Sequence, residues 1–213
     1  NPAERVYYPV ADNKEPIVAI GTDKEVDDPS IEVYFKQDAT PDSEKNNVGY
    51  LASQYMTSMI TSMLNARLSE LTQSANPPFT RAYSSYGNFF VAKTKEALNL
   101  SASSKADGIE KALKVLLQEA ERARRFGFTE SEYARARANY LQRLESAYNE
   151  REKTKHGSYV REYVRNFLDA EPIPGIETEY AMMNQLAPNL PVQAINMAIQ
   201  QLVPDSNQVV IIA

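Results

Sequence analysis

Twelve prolines punctuate this chain, yet none falls between Pro78 and Pro172. Proline inside a helix removes a backbone donor and clashes with the preceding turn, so the proline-free middle is where long helices and unbroken strands can form. Ahead of it, "PIVAIGT" (16–22) is a short apolar run. "SIEVYFKQ" (30–37) alternates Ile31, Val33 and Phe35 against Glu32, Tyr34 and Lys36. Both read as strands, joined by the polar loop "DKEVDDP".

Helical spacing follows. Val48, Leu51, Ala52, Tyr55, Met56, Met59, Ile60, Met63, Leu64, Leu68 and Leu71 recur at steps of three and four, which gives one broad apolar stripe with its methionines serving as core filler. "PPF" (77–79) closes that helix. Residues 79–103 then read as strands with a turn near Gly87-Asn88.

A second helix carries Ile109, Ala112, Leu113, Leu116, Leu117 and Ala120 and stops at Gly127, where a left-handed closing residue is expected. Thr129 caps the next helix, with Glu132 placed to complete a capping box. That helix, bearing Tyr133, Ala136, Tyr140, Leu141, Leu144 and Tyr148, is expected to run to Phe167 with a bend in "NEREKTKHG". "EPIPG" (171–175) is a stop. Two shorter helices, around 177–187 and 191–202, and a final strand "QVVIIA" complete the order. Strands, helix, strands, helices and a strand predict an α+β fold with a largely antiparallel sheet and its helices on one face.

The chemistry is sparse. With 23 basic and 28 acidic residues the chain is mildly acidic, which argues against a nucleic-acid partner. Arg122, Arg124 and Arg125 sit beside Glu119 and Glu121 and read as a solvated helix end. No run reaches the roughly 20 apolar residues of a membrane span. There is no cysteine and only one histidine, His156, so a zinc site lacks its usual donors and His156 reads as structural or solvent-facing. No "GxSxG" elbow and no glycine-rich phosphate loop is present. The acid pairs Asp27-Asp28 and Glu130/Glu132 read as loop solvation and helix capping. No catalytic residue and no metal ligand is assigned, and substrate-binding residues are unknown. The chain starts without Met and stops at the strand-like "VVIIA", so residues 1–213 are expected to be one domain excised from a longer chain.

One ordered set of segments carries a resemblance. "LLQEAERARRFGFTESEYARAR", "IVAIGTDKEVDDPSIEVYFK", "MITSMLNARLSEL", "YGNFFVAKTKEALNLSASS" and "YVREYVRNFLDAEPIPGIETEYAM" together resemble the pitrilysin/insulinase family of zinc metallopeptidases over nearly the whole chain. The resemblance implies α+β domains closing around a peptide-holding chamber, with zinc held by an H-x-x-E-H motif in the first domain. That motif is missing here, so any zinc belongs to the parent chain. The partner half typically carries an Arg after "EL" and a Tyr seven positions later. The matching positions are Thr72 and Phe79, which offer neither the charge nor the phenol.

Loss of both signatures suits a non-catalytic second domain, packed on the zinc-bearing domain and walling the chamber. Its partners would be the neighbouring domains and the peptide held between them. The alternative is a catalytically dead core or scaffold subunit of the same fold. Arg67 matches the family's "RL". It falls within the apolar stripe and is expected to be a partly buried structural arginine with an acidic or carbonyl partner.

Overall fold

The computed structural model describes residues 6–22 and 29–213. In chain order these form β1 (Ile17–Ile20), β2 (Ser30–Asp38), α1 (Val48–Thr72), β3 (Arg81–Asn88), β4 (Lys95–Ser103), α2 (Ile109–Phe126), α3 (Glu130–Asn149), α4 (His156–Asp169), α5 (Ile176–Asn189), α6 (Val192–Leu202) and β5 (Gln208–Ile212). The chain divides into two compact units. One comprises Asn1–Ala39, Ile60–Gly127 and Asn196–Ala213; the other comprises Thr40–Met59 and Phe128–Ile195. Most of the loop 23–29, with the acid pair Asp27-Asp28, lies outside the described residues.

The first unit holds the sheet, ordered β1-β5-β2-β4-β3. Three pairings are antiparallel and β1–β5 is parallel. Alternation sorts the side chains. Ile31, Val33 and Phe35 share a face with their register partners Ala102, Leu100 and Leu98, and all six are buried. The helical segments of this unit lie on that face. Helix α2 packs against β2 and β4. Asn65 of α1 donates to the Ser84 carbonyl at 3.0 Å, and Ser84 Oγ donates to the Thr61 carbonyl at 3.2 Å. From β2, Gln37 reaches the Gln201 carbonyl of α6 at 3.4 Å.

In the second unit α3 packs on α5. Its core contains a chain of tyrosine hydroxyls. Tyr133 donates to the Leu190 carbonyl at 2.9 Å, which uses its only hydrogen, so Tyr55 donates to Tyr133 across 3.1 Å. Burial, reinforced by that bond, raises the Tyr55 pKa well above the ordinary phenol range and keeps the donor protonated. Tyr140 meets the Tyr55 ring edge-on at 5.1 Å, and Tyr148 stacks on Tyr180 at 4.5 Å.

The methionine expectation holds for Met59 and Met63, which are buried, while Met56 is half-buried. Three local expectations are corrected. Gly87 and Asn88 are not the hairpin turn; they extend β3 and pair with Ala97 and Glu96. The chain reverses through residues 89–94, with Phe90 at φ 53. The cause is aromatic packing: Phe89 and Phe90 lie 5.4 and 5.1 Å from the Tyr34 ring, so the hairpin runs on until both reach it.

Nor does α3 merely bend before Phe167. It ends at Asn149, a 3-10 turn occupies Arg151–Lys153, and Thr154 and Lys155 are extended before α4 begins. From Asn149 to Gly157 no apolar side chain is available to hold a helix against a core. Finally, Gly127 has positive φ but not the left-handed helical conformation. At φ 67 and ψ −158 it occupies an extended mirror region that is essentially restricted to glycine.

Candidate functional site

The residues singled out in the sequence fall into place locally. Gly127 N–H donates to the Ala123 carbonyl at 2.9 Å and ends α2. Its own carbonyl accepts from Arg67 Nη2 at 2.9 Å. Arg67 is 8% exposed and has the carbonyl partner expected of it. Two features read separately in the sequence, the family-like "RL" and the helix-closing glycine, thus form one contact. The capping box is complete: the Thr129 side chain accepts from Glu132 N–H at 3.3 Å, and Glu132 Oε2 accepts from Thr129 N–H at 2.7 Å.

Neither of the two positions that carry Arg and Tyr in the family's partner half offers a charge or a phenol, although Phe79 borders a groove of about 310 Å³ with Pro78, Lys105 and Lys111. Thr72 Oγ1 donates to the Ser69 carbonyl at 2.7 Å, within its own helix. Phe79 is 2% exposed, a core residue before β3. His156 is exposed at the start of α4. Among the described residues no three His, Cys, Asp or Glu side chains gather as metal ligands. This donor set does not fit a zinc ion.

The arginine-rich end of α2, expected as a solvated helix end, is an ion-paired cluster. Arg124 donates to both Glu121 oxygens at 2.6 and 2.8 Å and reaches Asp205 at 3.2 Å, while Arg125 also donates to Glu121. Arg122 pairs with Glu119 at 3.3 Å.

The sheet face opposite the helices is the more distinctive surface. Alternation places Glu32, Tyr34 and Lys36 there, with Asn99 and Ala97 beside them on β4. The Tyr34 hydroxyl donates to the Glu32 carboxylate, and burial together with that bond raises the Tyr34 pKa far above the phenol range. Phe89 and Phe90 pack on Tyr34 and on each other, with Lys36 Nζ 5.7 Å from the Phe89 centroid.

The segment before β1 fastens to this face. Lys36 Nζ donates to the Ala11 carbonyl at 2.8 Å, and Thr94 Oγ1 to the Tyr8 carbonyl at 3.2 Å. Lys95 bonds Asp12 and Asp38, each at 2.6 Å. Burial disfavours the Lys95 charge, but its two carboxylate partners outweigh it and raise the pKa, whereas burial and the nearby Lys95 lower that of Lys36. Between the segment and the hairpin tip lies a groove of about 370 Å³, lined by Tyr7, Tyr8, Phe89, Phe90 and Val91 among others.

This surface can hold apolar and aromatic groups, and its cations are already engaged. Sequence reading placed Tyr34 and Lys36 on the polar side of a strand but missed the cluster. The one signal was the unusual "FF" directly after the expected turn.

Comparison with known proteins fits this picture. Residues 1–140 match the family described as "Peptidase M16 inactive domain". A "Zinc protease PQQL-like" protein of Arabidopsis thaliana is 26% identical over 189 residues, covering 89% of this chain but 16% of the relative. The periplasmic protease PqqL from Escherichia coli superposes with a TM-score of 0.86 at 19% identity, over 99% of this chain and 23% of that one. The structure of the first half of PqqL gives 0.84 at 20% identity, over 98% of this chain and 44% of that one. These likenesses bear out the α+β fold, and the chain spans less than half the length of each of these three. It belongs to the M16 peptidases, the pitrilysin/insulinase-type metallopeptidases, as one of their inactive domains.

Proposed function

We propose that residues 1–213 act as a single non-catalytic domain, the second, of a larger zinc-peptidase-like protein, packing on a zinc-bearing domain and helping to wall a chamber that holds peptides. The observation that carries this reading is the fate of the two signature positions. Thr72 spends its hydroxyl on its own helix and Phe79 lies in the core, so neither can assist at a substrate carbonyl. Zinc would be held by another domain of the parent chain, because this one offers a single exposed imidazole and no thiol. The domain would contribute shape and apolar surface, including the Tyr34–Phe89–Phe90 face.

The test is zinc titration by calorimetry on the 213-residue chain, run beside a peptide-cleavage assay. Neither stoichiometric metal nor turnover is expected; finding both overturns the proposal. The natural sequence preceding these residues supplies the second arm. An H-x-x-E-H motif there supports a peptidase parent, and its absence replaces that parent with a scaffold.

A further inference from the structure

Helix α4 is amphipathic, but it is mounted the wrong way round for a helix of a self-contained fold. None of its 14 residues is buried. The three that are not fully exposed are Ser158, Glu162 and Asp169. At 3.6 residues per turn these lie within about 40° of one another and form one polar stripe. Tyr159, Val160, Tyr163 and Val164 lie on the other side, centred roughly 150° away, and are 40, 57, 62 and 48% exposed.

The helix therefore turns polar side chains toward its own unit and apolar ones outward. Glu162 borders a small pocket with Arg165, Glu171 and Glu179, where the carboxylates have an ion pair for company: Arg165 to Glu171 at 2.7 Å. Such an apolar patch with a polar rim marks a surface that another body covers.

We propose that the outward face of α4 is the docking surface for an apolar face of an adjoining domain of the same polypeptide. This rests on the reading of the chain as part of a longer multidomain protein. Size favours a tethered occupant over a second copy. A 14-residue helix is about 21 Å long, and one helix face falls well short of the roughly 800 Å² per partner of a stable bimolecular interface. A covalent tether removes that requirement by raising the effective concentration to the millimolar range.

Length agrees. The half-protein structure matched across 98% of this chain is covered to only 44%, which leaves room for a second domain of comparable size. A lipid surface fits poorly, because helices that lie on membranes favour Lys and Arg on their polar side. Here Arg161 and Arg165 are balanced by Glu162 and Asp169.

The experiment is hydrogen exchange on the intact natural polypeptide that contains these residues, comparing wild type with Val160→Glu and, as a control on the polar side, Arg161→Glu. In the wild type, the α4 amides should exchange more slowly than in Val160→Glu by roughly tenfold or more, with Arg161→Glu behaving as wild type. Equal exchange in wild type and Val160→Glu overturns the proposal. Protection that grows with protein concentration also overturns it, in favour of a second copy, and protection that appears only with added phospholipid vesicles does so in favour of a membrane. Peptide hydrolysis is measured on the same samples. An inactive polypeptide with a protected α4 defeats the peptidase reading alone, whereas an active one with an unprotected α4 defeats this inference alone.

Discussion

The stretch from α2 to the start of α3 and the helix α4 have similar raw material and opposite fates. Along α2, Ala112, Leu116, Ala120 and Ala123 are all buried, and the helix packs on β2 and β4. Its closing glycine is gripped at both ends of the peptide, by the Ala123 carbonyl and the Arg67 guanidinium. The next helix opens on a complete capping box. Each of these devices is met by a neighbour within the chain, and the apolar exception is Phe126, 81% exposed at the end of α2. In α4 the apolar half looks outward and the polar stripe looks in. Helical periodicity tells that a helix has a face to bury; it does not tell whose core that face belongs to.

The largest expected effect tests that contrast directly. Leu116 is 0% exposed in α2, so Leu116→Ala should destabilise the 213-residue chain by about 2–5 kcal/mol through lost transfer energy and the cavity left behind. In α4, Val164→Ala should change the stability of the same chain by no more than about 0.5 kcal/mol, as for other surface substitutions. Urea denaturation of the two variants reads the difference. Equal losses would mean that α4 is packed within its own unit after all.

Next comes Gly127. Its φ of 67 and ψ of −158 already exclude most side chains, and an added Cβ would lie 2.4 Å from Asn196 Cγ. Gly127→Ala therefore combines backbone strain of about 1–3 kcal/mol with a forced shift of Asn196. A thermal melt should show a clear fall in midpoint. An unchanged midpoint would show that the end of α2 is looser than its hydrogen bonds imply.

These elements also mark what could be read without a structure. The helix end at Gly127, the Thr129 cap and the alternation in β2 were legible because each is set by a few adjacent residues. The ψ of Gly127 was not, since it depends on Arg67 and Asn196, each distant in sequence. The hairpin turn was misplaced for the same reason: Gly-Asn is a strong local signal, but Phe89 and Phe90 answer to Tyr34, far back in the chain. The break before α4 was half legible, as a polar segment without a clear stop signal. Of the candidate site, the positions of Thr72, Phe79 and Arg67 could be named from the resemblance. The aromatic sheet face could not, because its members come from two strands and a loop that only the register brings together.

The smallest effect concerns the charged ends of the two helices. The bonds donated by Arg124, with Arg125 adding another, hold the Glu121 carboxyl at a pKa of about 2, against an ordinary 4.5. A carboxylate with a depressed pKa contributes stability that is fully present above its unfolded value and is lost as pH falls through its folded value. The Glu121 contribution should thus be constant above about pH 5 and fade between about pH 4.5 and pH 2. The side chain is 34% exposed, so solvent screening limits the contribution to under about 1 kcal/mol.

Thermal midpoints of wild type and Glu121→Gln, followed from neutral to acid pH, should keep a steady gap and then converge across that window. Added salt should narrow the gap at every pH. At the end of α4, Arg165 and Glu171 also pair, but their side chains are 50 and 40% exposed and each has a single partner contact at 2.7 Å. Glu171→Gln should therefore open a smaller gap than Glu121→Gln. A larger one would reverse the contrast and place the stronger electrostatic anchor on the helix that faces away from its own core.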